Sequence, residues 1–296
     1  MTGKIIKALS GFYYVLSENE VYECKARGSF RKSGVSPLVG DTVEFQSELN
    51  GKGVIDSIFE RKNSLVRPPI ANIDKLFIFS SYSSPEPNTF LIDKMTVIAR
   101  FNNIEPIIVF NKCDMGDFTK FKEIYDNSGF KTFVISAKDG FGIEELKNEM
   151  KDSVSAFTGN SGVGKSSVLN NIFGNQAIAT GEVSEKLGRG KHTTRHTELY
   201  KLPSDGFVAD TPGFSSLELD CKSIELKENL EYCFKDFEDY LGNCKFTSCT
   251  HTKENGCAVT EAVKNGKIEK SRHNSYLQLF ESMKDLKSWE ISKKQK

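Results

Sequence analysis

The sequence predicts a multidomain protein in which an all-β barrel is followed by an α/β domain and a small α-helical domain. Its length of 296 residues exceeds that of one typical domain and suits two or three. The hydrophobic pattern also changes twice, from strand-like alternation to strands alternating with helices, and then to polar helices. The predicted domains are residues 1–65, 66–220 and 221–296.

The overall charge does not identify a partner, because Lys plus Arg and Asp plus Glu both number 40. The sequence has no apolar run of about 18 residues, so we expect no membrane span. Its first residues lack the continuous apolar core of a signal peptide. We therefore expect a cytoplasmic protein, and nothing in the sequence indicates more than a monomer.

The first domain contains short alternating runs separated by Gly, Asn and Ser-Gly turns, among them GFYYVLS, VYECKA, DTVEFQSE and GVIDSIF. About five strands in this length favour a small closed OB-fold barrel, and an SH3-like barrel stays open. OB-folds bind single-stranded nucleic acid through basic and aromatic groups, and this domain has such a cluster: Lys25, Arg27, Phe30, Arg31 and Lys32. The residues alone leave RNA binding open, because nine basic residues face eight acidic ones in residues 1–65.

The second domain alternates buried strands with helices. The predicted strands are LFIFSSY, PIIVFNK, KTFVISA, SVSAFTG and GFVADTP, and the predicted helices lie near 88–101, 117–128, 142–151 and 165–173. This alternation predicts a mainly parallel sheet that is covered on both faces. Ligands are then expected at the carboxyl ends of the strands.

A phosphate-binding loop is predicted between one of these strands and the following helix. The motif GNSGVGKS has the form G-x-x-x-x-G-K-S, and with the next residue it comprises Gly159, Asn160, Ser161, Gly162, Val163, Gly164, Lys165, Ser166 and Ser167. The glycines let backbone N–H groups face phosphate at the helix N-terminus. Lys165 is predicted to reach the β- and γ-phosphates, and Ser166 to bind Mg²⁺. The alternative, a glycine-rich turn with a surface lysine, is disfavoured by the flanking strand and helix.

The motif DTPG ends the strand FVAD. Alone it is a common turn sequence. Beside a phosphate-binding loop, it predicts that Asp210 lies near Mg²⁺ and that the Gly213 N–H meets the γ-phosphate.

Two further strand ends predict which base is bound. They carry NKCD and SAK, with the candidate base-binding residues Asn111, Lys112, Asp114, Ser136, Ala137 and Lys138. The two oxygens of Asp114 match the N1–H and N2–H₂ donors of guanine, a pair that adenine lacks. Asn111 is predicted to brace the loop, Lys112 to cover the ring and the Ala137 N–H to meet O6. The predicted nucleotides are therefore GTP and GDP.

The motifs occur in an unusual order, with NKCD and SAK before the phosphate-binding loop and DTPG. In familiar GTPases the phosphate-binding loop comes first. The same sheet still forms if the chain is rejoined at its termini, because domain termini often lie close together. The order predicts a circularly permuted P-loop GTPase domain.

The segment GRGKHTTRH, residues 188–196, lies between the phosphate-binding loop and DTPG. Either Thr193 or Thr194 is predicted to close onto Mg²⁺ and the γ-phosphate. Many GTPases orient the attacking water with a glutamine just after D-x-x-G, but this position is Phe214. His192 is the candidate for orienting water, and a surface histidine is the alternative. Slow intrinsic turnover with activation by a partner follows as an expectation.

The third domain contains the spacing C-x₄-C-x-H-x₅-C, formed by Cys244, Cys249, His251 and Cys257. Three thiolates and one imidazole complete a tetrahedral Zn²⁺ shell without an open position, which predicts one structural zinc ion. Separate reduced cysteines are the alternative. Residues 264–296 are also basic, with nine Lys or Arg against four Asp or Glu.

Together these features resemble a bacterial family, the small-ribosomal-subunit-dependent GTPases called RsgA or YjeQ. The matching stretches are ARGSFRK, PLVGDTVEF, NKCD, SAKDGFGIEEL, GNSGVGKSS, GRGKHTT, DTPGF and the Cys/His cluster. The resemblance implies an OB-fold, a permuted GTPase domain and a zinc domain. It also implies late maturation of the small ribosomal subunit, contact with its rRNA, and GTP hydrolysis stimulated by the subunit.

In that family a histidine of the GRGKHTT segment is implicated in hydrolysis, which maps onto His192. Arg195 stands where some members have a third threonine, and we choose Thr194 for Mg²⁺. The predicted catalytic residues are thus His192, Lys165 and Thr194. A protein that uses GTP state as a switch, with little catalysis, is the second reading. A P-loop ATPase or kinase is disfavoured by NKCD with SAK.

Overall fold

The computed structural model describes residues 1–28, 30, 34–66, 68–82, 87–174, 197–210 and 224–286; at 49, 210 and 224 it describes the backbone alone. Within this part of the chain, no helix has both the length and the apolar character needed to cross a membrane.

The first domain is a closed five-stranded barrel. Its strands are β1 (Thr2–Leu9), β2 (Phe12–Ser17), β3 (Glu20–Ala26), β4 (Thr42–Ser47) and β5 (Lys52–Ile58), with a short 3-10 turn at Leu49–Gly51. The strand order is β1-β2-β3-β5-β4, and β4 closes the barrel against β1. The β3–β5 pair is parallel and the others are antiparallel. This order confirms the predicted OB-fold over the SH3-like alternative.

The segment that leaves the barrel is pinned to it. Asp41 is fully buried, and its two carboxylate oxygens each accept a 2.7 Å hydrogen bond from Arg61. The short hairpin of β6 (Ser64–Leu65) and β7 (Ile70–Ala71) follows. A Cβ at Gly40 would lie 2.0 Å from the Ala71 carbonyl oxygen, so only glycine permits this close approach.

The second domain is a twisted sheet covered by helices. Its strands are β8 (Lys75–Ser81), β9 (Glu105–Asn111), β10 (Lys131–Ile135), β11 (Val154–Thr158), β12 (Glu198–Lys201) and β13 (Phe207–Asp210). The order is β10-β9-β8-β11-β13-β12, parallel except for β12. The mainly parallel sheet confirms the prediction, and the chain runs through its central strand β11 only after β8, β9 and β10.

The four predicted helices of this domain are present. They are α1 (Thr89–Phe101), α2 (Thr119–Asn127), α3 (Ile143–Met150) and α4 (Lys165–Phe173). Strand β12 was not predicted, because its sequence ELYK is charged at both ends and has no continuous apolar run. It extends the sheet to the barrel, since Lys7 of β1 pairs with Glu198 of β12 and their side chains form a 3.3 Å salt bridge.

The third domain is helical, as predicted. Its helices are α5 (Ile224–Cys233), α6 (Ala258–Lys264) and α7 (Lys270–Ser282), and a 3-10 turn spans Lys235–Tyr240. Their apolar side chains share one core with Val97 of α1. This core joins the third domain to the GTPase domain.

A buried arginine also crosses this junction. Arg272 of α7 is fully buried and donates to Asp93 of α1 at 2.7 Å and to Asp236 at 2.8 Å. Its guanidinium lies 4.9 Å from the ring centroid of Phe234 and 5.1 Å from that of Phe130. Two carboxylates and two ring faces thus replace the water that the charge loses on burial.

Candidate nucleotide site and metal centre

The predicted phosphate-binding loop lies at the carboxyl end of β11, where parallel sheets bind ligands. Gly159 and Gly164 have φ values of 137° and 94°, which favour glycine. A Cβ would lie 2.3 Å from the Phe79 carbonyl oxygen at Gly159, and 2.3 Å from Asn111 Nδ2 at Gly164. The backbone of this loop therefore packs against its neighbours too closely for any side chain at these two positions.

Lys165 begins helix α4 and folds back over the loop. Its Nζ donates to the carbonyl oxygens of Gly159 at 2.6 Å and Asn160 at 2.9 Å. Burial lowers the pKa of Lys165 below its ordinary value. The first turn of α4 carries no acidic residue, and Ser166 and Ser167 are exposed there. An ammonium group and a helix N-terminus thus face the same space, an arrangement suited to phosphate.

The other loop residues divide into exposed and buried positions. Asn160 and Ser161 are exposed, as is Gly162, whereas Val163 is buried in the core on one face of the sheet. The buried Val163 fixes the middle of the loop, and the exposed residues leave its outer side open.

Asn111 joins the phosphate-binding loop to the SAK loop. It ends β9 and is only 1% exposed. Its Nδ2 donates to the Val163 carbonyl at 2.8 Å, and its Oδ1 accepts from the Ala137 N–H at 3.1 Å. The predicted bracing by Asn111 is therefore present. The Ala137 N–H, expected to face guanine O6, is engaged by Asn111 in this structure.

Asp114 lies beside the SAK loop, as its proposed role requires. Its Oδ1 accepts from Ser136 Oγ at 3.0 Å, and its Oδ2 lies 3.6 Å from Lys138 Nζ. The Asp114 side chain is 17% exposed, so its oxygens are shielded from much of the solvent. Lys112 is half-buried with a φ of 68°, an uncommon conformation for a non-glycine residue. Such conformations cluster at functional sites.

Several predicted residues lie outside the described part of the chain. These are His192, Thr193, Thr194 and Gly213, together with the side chain of Asp210. The backbone of Asp210 ends β13 and pairs with Glu198. The roles assigned to these residues stay predictions.

The sequence motifs missed one residue that contacts the base-binding loop. Asn171 of α4 donates from Nδ2 to the Ala137 carbonyl at 2.5 Å. It belongs to neither NKCD, SAK nor the phosphate-binding loop. After Ser167 the helix is mostly apolar, and a polar side chain there is the only signal of this residue in the sequence. That signal is weak.

The four predicted metal ligands come together. Their ligand atoms all lie within 4.8 Å of one another. Cys244 Sγ and Cys257 Sγ are 3.9 Å apart, and His251 Nδ1 lies 3.6 Å and 3.4 Å from these sulfurs. Zn–S bonds of about 2.3 Å and Zn–N bonds of about 2.0 Å in a tetrahedron give edges of roughly 3.8 and 3.5 Å. The distances among Cys244, Cys257 and His251 therefore match those of a tetrahedral metal site, and Cys249 Sγ lies within 4.8 Å of each.

Surrounding groups stabilise the ligands. The N–H groups of Ala258 and Thr260 donate to Cys244 Sγ at 3.3 Å and Cys257 Sγ at 3.4 Å. Burial raises the pKa of the Cys257 thiol, but the hydrogen bonds of Thr260 and His251 lower it to about 7.

His251 is oriented by a carboxylate. Its Nε2 lies 2.9 Å from Glu231 Oε2, while Nδ1 faces the sulfurs. Metal-ligating histidines commonly donate their second nitrogen to a carboxylate in this way. The donor set and its surroundings fit a metal ion.

The fold and site define the class of protein, a circularly permuted P-loop GTPase. The strands that carry the base-binding motifs precede the phosphate-binding loop in the sequence. Comparison with known proteins agrees. The family model described as RsgA GTPase matches residues 58–220, and the RsgA N-terminal domain model matches residues 2–55. The chain belongs to the RsgA family and is a GTP-hydrolysing enzyme.

Relatives and solved structures cover nearly the whole chain. The Caldanaerobacter subterraneus subsp. tengcongensis protein "Small ribosomal subunit biogenesis GTPase RsgA" is 47% identical over 286 residues, 96% of each chain. The Clostridium kluyveri protein of that name is 42% identical, covering 98% of this chain and 100% of its own.

Two crystal structures are similar to this fold. One is the structure of YloQ, whose title calls it a circularly permuted GTPase. It is 38% identical in sequence with a TM-score of 0.81, and the match covers 97% of this chain and 96% of that one. The other is the structure of YjeQ from Thermotoga maritima. It is 36% identical in sequence with a TM-score of 0.82, and the match covers 97% of this chain and 99% of that one.

Proposed function

We propose that this protein is a Mg²⁺-dependent GTPase that acts in late maturation of the small ribosomal subunit and is stimulated by that subunit. The observation that carries the proposal is that Asn111 donates to the Val163 carbonyl and accepts from the Ala137 N–H, which fixes the phosphate-binding and base-binding loops together. The names of the relatives from Caldanaerobacter and Clostridium support the ribosomal role.

The nucleotide is proposed to lie across the two loops. Asp114 accepts from guanine N1–H and N2–H₂, and Lys165 turns from its carbonyl partners to the β- and γ-phosphates. The exposed Ser166 hydroxyl binds Mg²⁺ together with Thr194, and Asp210 acts through water. Gly213 donates its N–H to the γ-phosphate.

Hydrolysis is proposed to depend on a group that positions water. Phe214 has no hydrogen-bonding group, so it cannot act as the glutamine does in many GTPases. His192 is the proposed replacement within the chain. The bound subunit is proposed to complete the site, which explains why free enzyme would turn over slowly.

The barrel is proposed to bind rRNA. Lys25 of β3 pairs across the sheet with Phe12 of β2, and its Nζ lies 5.1 Å from the Phe12 ring centroid. The exposed Arg27 pairs with Asp56 at 2.7 Å. Cations beside an aromatic ring suit phosphates and stacked bases. Arg31 and Lys32, predicted members of this cluster, lie outside the described residues.

GTP turnover with and without small ribosomal subunits tests this function. We expect subunits to raise kcat tenfold or more, which corresponds to about 1.4 kcal/mol of barrier lowering. Large ribosomal subunits are the matched control and should leave turnover unchanged. If GTP binds tightly but small subunits give no rise, the ribosomal role is wrong. The alternative, a GTP-dependent switch with little catalysis, would then be favoured.

We further propose that the Cys/His cluster holds one structural Zn²⁺. The ion would supply folding energy to a domain that, among the described residues, shares its core with helix α1 of its neighbour. We expect wild-type protein to contain one zinc per chain by atomic absorption, and Cys249→Ser to lose it and melt at a lower temperature. Cys233→Ser is the control, because Cys233 is buried in the same core but outside the cluster. Equal zinc content in the two variants would contradict the site.

The cytoplasmic location, the monomeric state and the domain boundaries at residues 65 and 220 stay predictions.

A further inference from the structure

Ala137 is held at both of its backbone polar groups by side-chain amides from two different elements. Its N–H donates to Asn111 Oδ1 at 3.1 Å, and its carbonyl accepts from Asn171 Nδ2 at 2.5 Å. Asn111 comes from β9, and Asn171 from the helix that starts at the phosphate-binding loop. The SAK loop is thus anchored to the helix as well as to the sheet.

These anchors matter because the loop residues that follow, 138–141, are exposed. The Lys138 side chain is 78% exposed, and Phe141 is an exposed large apolar residue. Gly140 and Gly142 both have positive φ values, and a single bridge links Phe141 to the buried Ser136. The neighbouring Ser136 is held by Asp114 and Asp139, and the two amide bonds are the side-chain anchors of Ala137 itself.

We propose that Asn171 is a positioning residue for guanine recognition. It acts through Ala137 and has no contact with the nucleotide itself. The inference rests on the base-binding role proposed for NKCD and SAK. By holding the Ala137 carbonyl, Asn171 sets the position of the neighbouring Ser136, the partner of Asp114, relative to the base.

The helix gives this contact a second consequence. Asn171 follows Lys165 by six residues in α4, which corresponds to about 9 Å along the helix axis. Since an α-helix is stiff, the position of the base-binding loop is tied to that of the phosphate-binding loop. Asn171 thereby fixes the separation between the base and phosphate contacts, and this separation decides whether a guanine nucleotide fits.

Nucleotide binding by Asn171→Ala tests the role. We expect its Kd for GDP to rise about three- to tenfold, the usual loss for one hydrogen bond. The Kd for ADP should stay unchanged, because the phosphate contacts are intact, so discrimination between GDP and ADP falls. At saturating GTP, kcat should be unchanged. Asn171→Asp keeps the shape but removes the donor, and should weaken GDP binding at least as much.

Asn170→Ala is the matched control, since Asn170 is the exposed neighbour on the same helix and should have no effect. Equal weakening of GDP and ADP by Asn171→Ala would indicate a merely structural role and overturn the inference, as would unchanged GDP binding. Asp114→Asn separates the two levels of the proposal. If Asp114→Asn weakens GDP binding but Asn171→Ala does not, only the role of Asn171 is wrong. If neither variant weakens it, the proposed base site itself is wrong.

Discussion

Replacing Asp114 with asparagine is expected to change the preferred base from guanine to xanthine. The carboxylate offers two acceptors to the N1–H and N2–H₂ of guanine, whereas an amide offers one acceptor and one donor. Xanthine has N1–H and a carbonyl at C2, so it matches the amide. Hydrogen bonds to a charged group contribute about 1.5–3 kcal/mol each. Because the Asp114 side chain is 17% exposed, we take the lower end for the pair, about 3 kcal/mol.

A loss of that size raises the Kd for GDP roughly a hundredfold. Competition between GDP and xanthosine diphosphate for the purified variant measures the change. Asp117→Asn is the control, because Asp117 lies in the same loop but caps Thr119 through Oδ1, a bond that an amide oxygen retains. The assignment of Asp114 is wrong if the variant keeps the wild-type preference for GDP.

Arg272→Met is expected to lower the free energy of unfolding strongly, because Arg272 is fully buried with two carboxylate partners. Removing the guanidinium leaves Asp93 and Asp236 buried without their partner. Breaking a buried ion pair in this way typically costs about 3–5 kcal/mol. Urea unfolding measures the free energy of unfolding, and a loss in this range would show that Arg272 joins the third domain to helix α1.

Arg100→Met is the matched control. Arg100 also reaches from α1 to the third domain, but its partner Glu238 is 51% exposed. Pairs in contact with solvent contribute at most about 1 kcal/mol, so this variant should lose little. Equal losses in the two variants would contradict the role given to Arg272.

The stability loss of Arg272→Met should also depend on pH. Burial raises the pKa of Asp93 above its usual value, and Arg272 beside it lowers it. Without Arg272, the pKa of Asp93 rises further. A carboxyl whose pKa is raised on folding favours the folded state while it is protonated, and this contribution is lost as pH rises through the folded-state pKa. The deficit of the variant should therefore shrink as pH is lowered through that pKa towards the ordinary pKa of an aspartate.

Many elements of this fold can be predicted from short stretches of the sequence. The run SVSAFT before GNSGVGKS predicts a buried strand, and the turn glycines with the following helix predict a phosphate-binding loop. Strand β11 and helix α4 have those positions. The spacing of the three cysteines and His251 predicts the metal cluster in the same way. Such features are predictable because each depends on residues within about twenty positions of one another.

How these parts are joined depends on contacts between residues far apart in the sequence. Strand β12 is defined by pairing with β13 and with Lys7 of the barrel, and its four residues carry no clear pattern of their own. The pairs Asn171–Ala137 and Arg272–Asp93 are separated by 34 and 179 residues. Periodicity and motif spacing predict which face of a helix or strand is buried. They do not predict which residue of another element that face contacts. That choice depends on how the elements pack in three dimensions, which places Asn171 under the base-binding loop and Arg272 between two carboxylates.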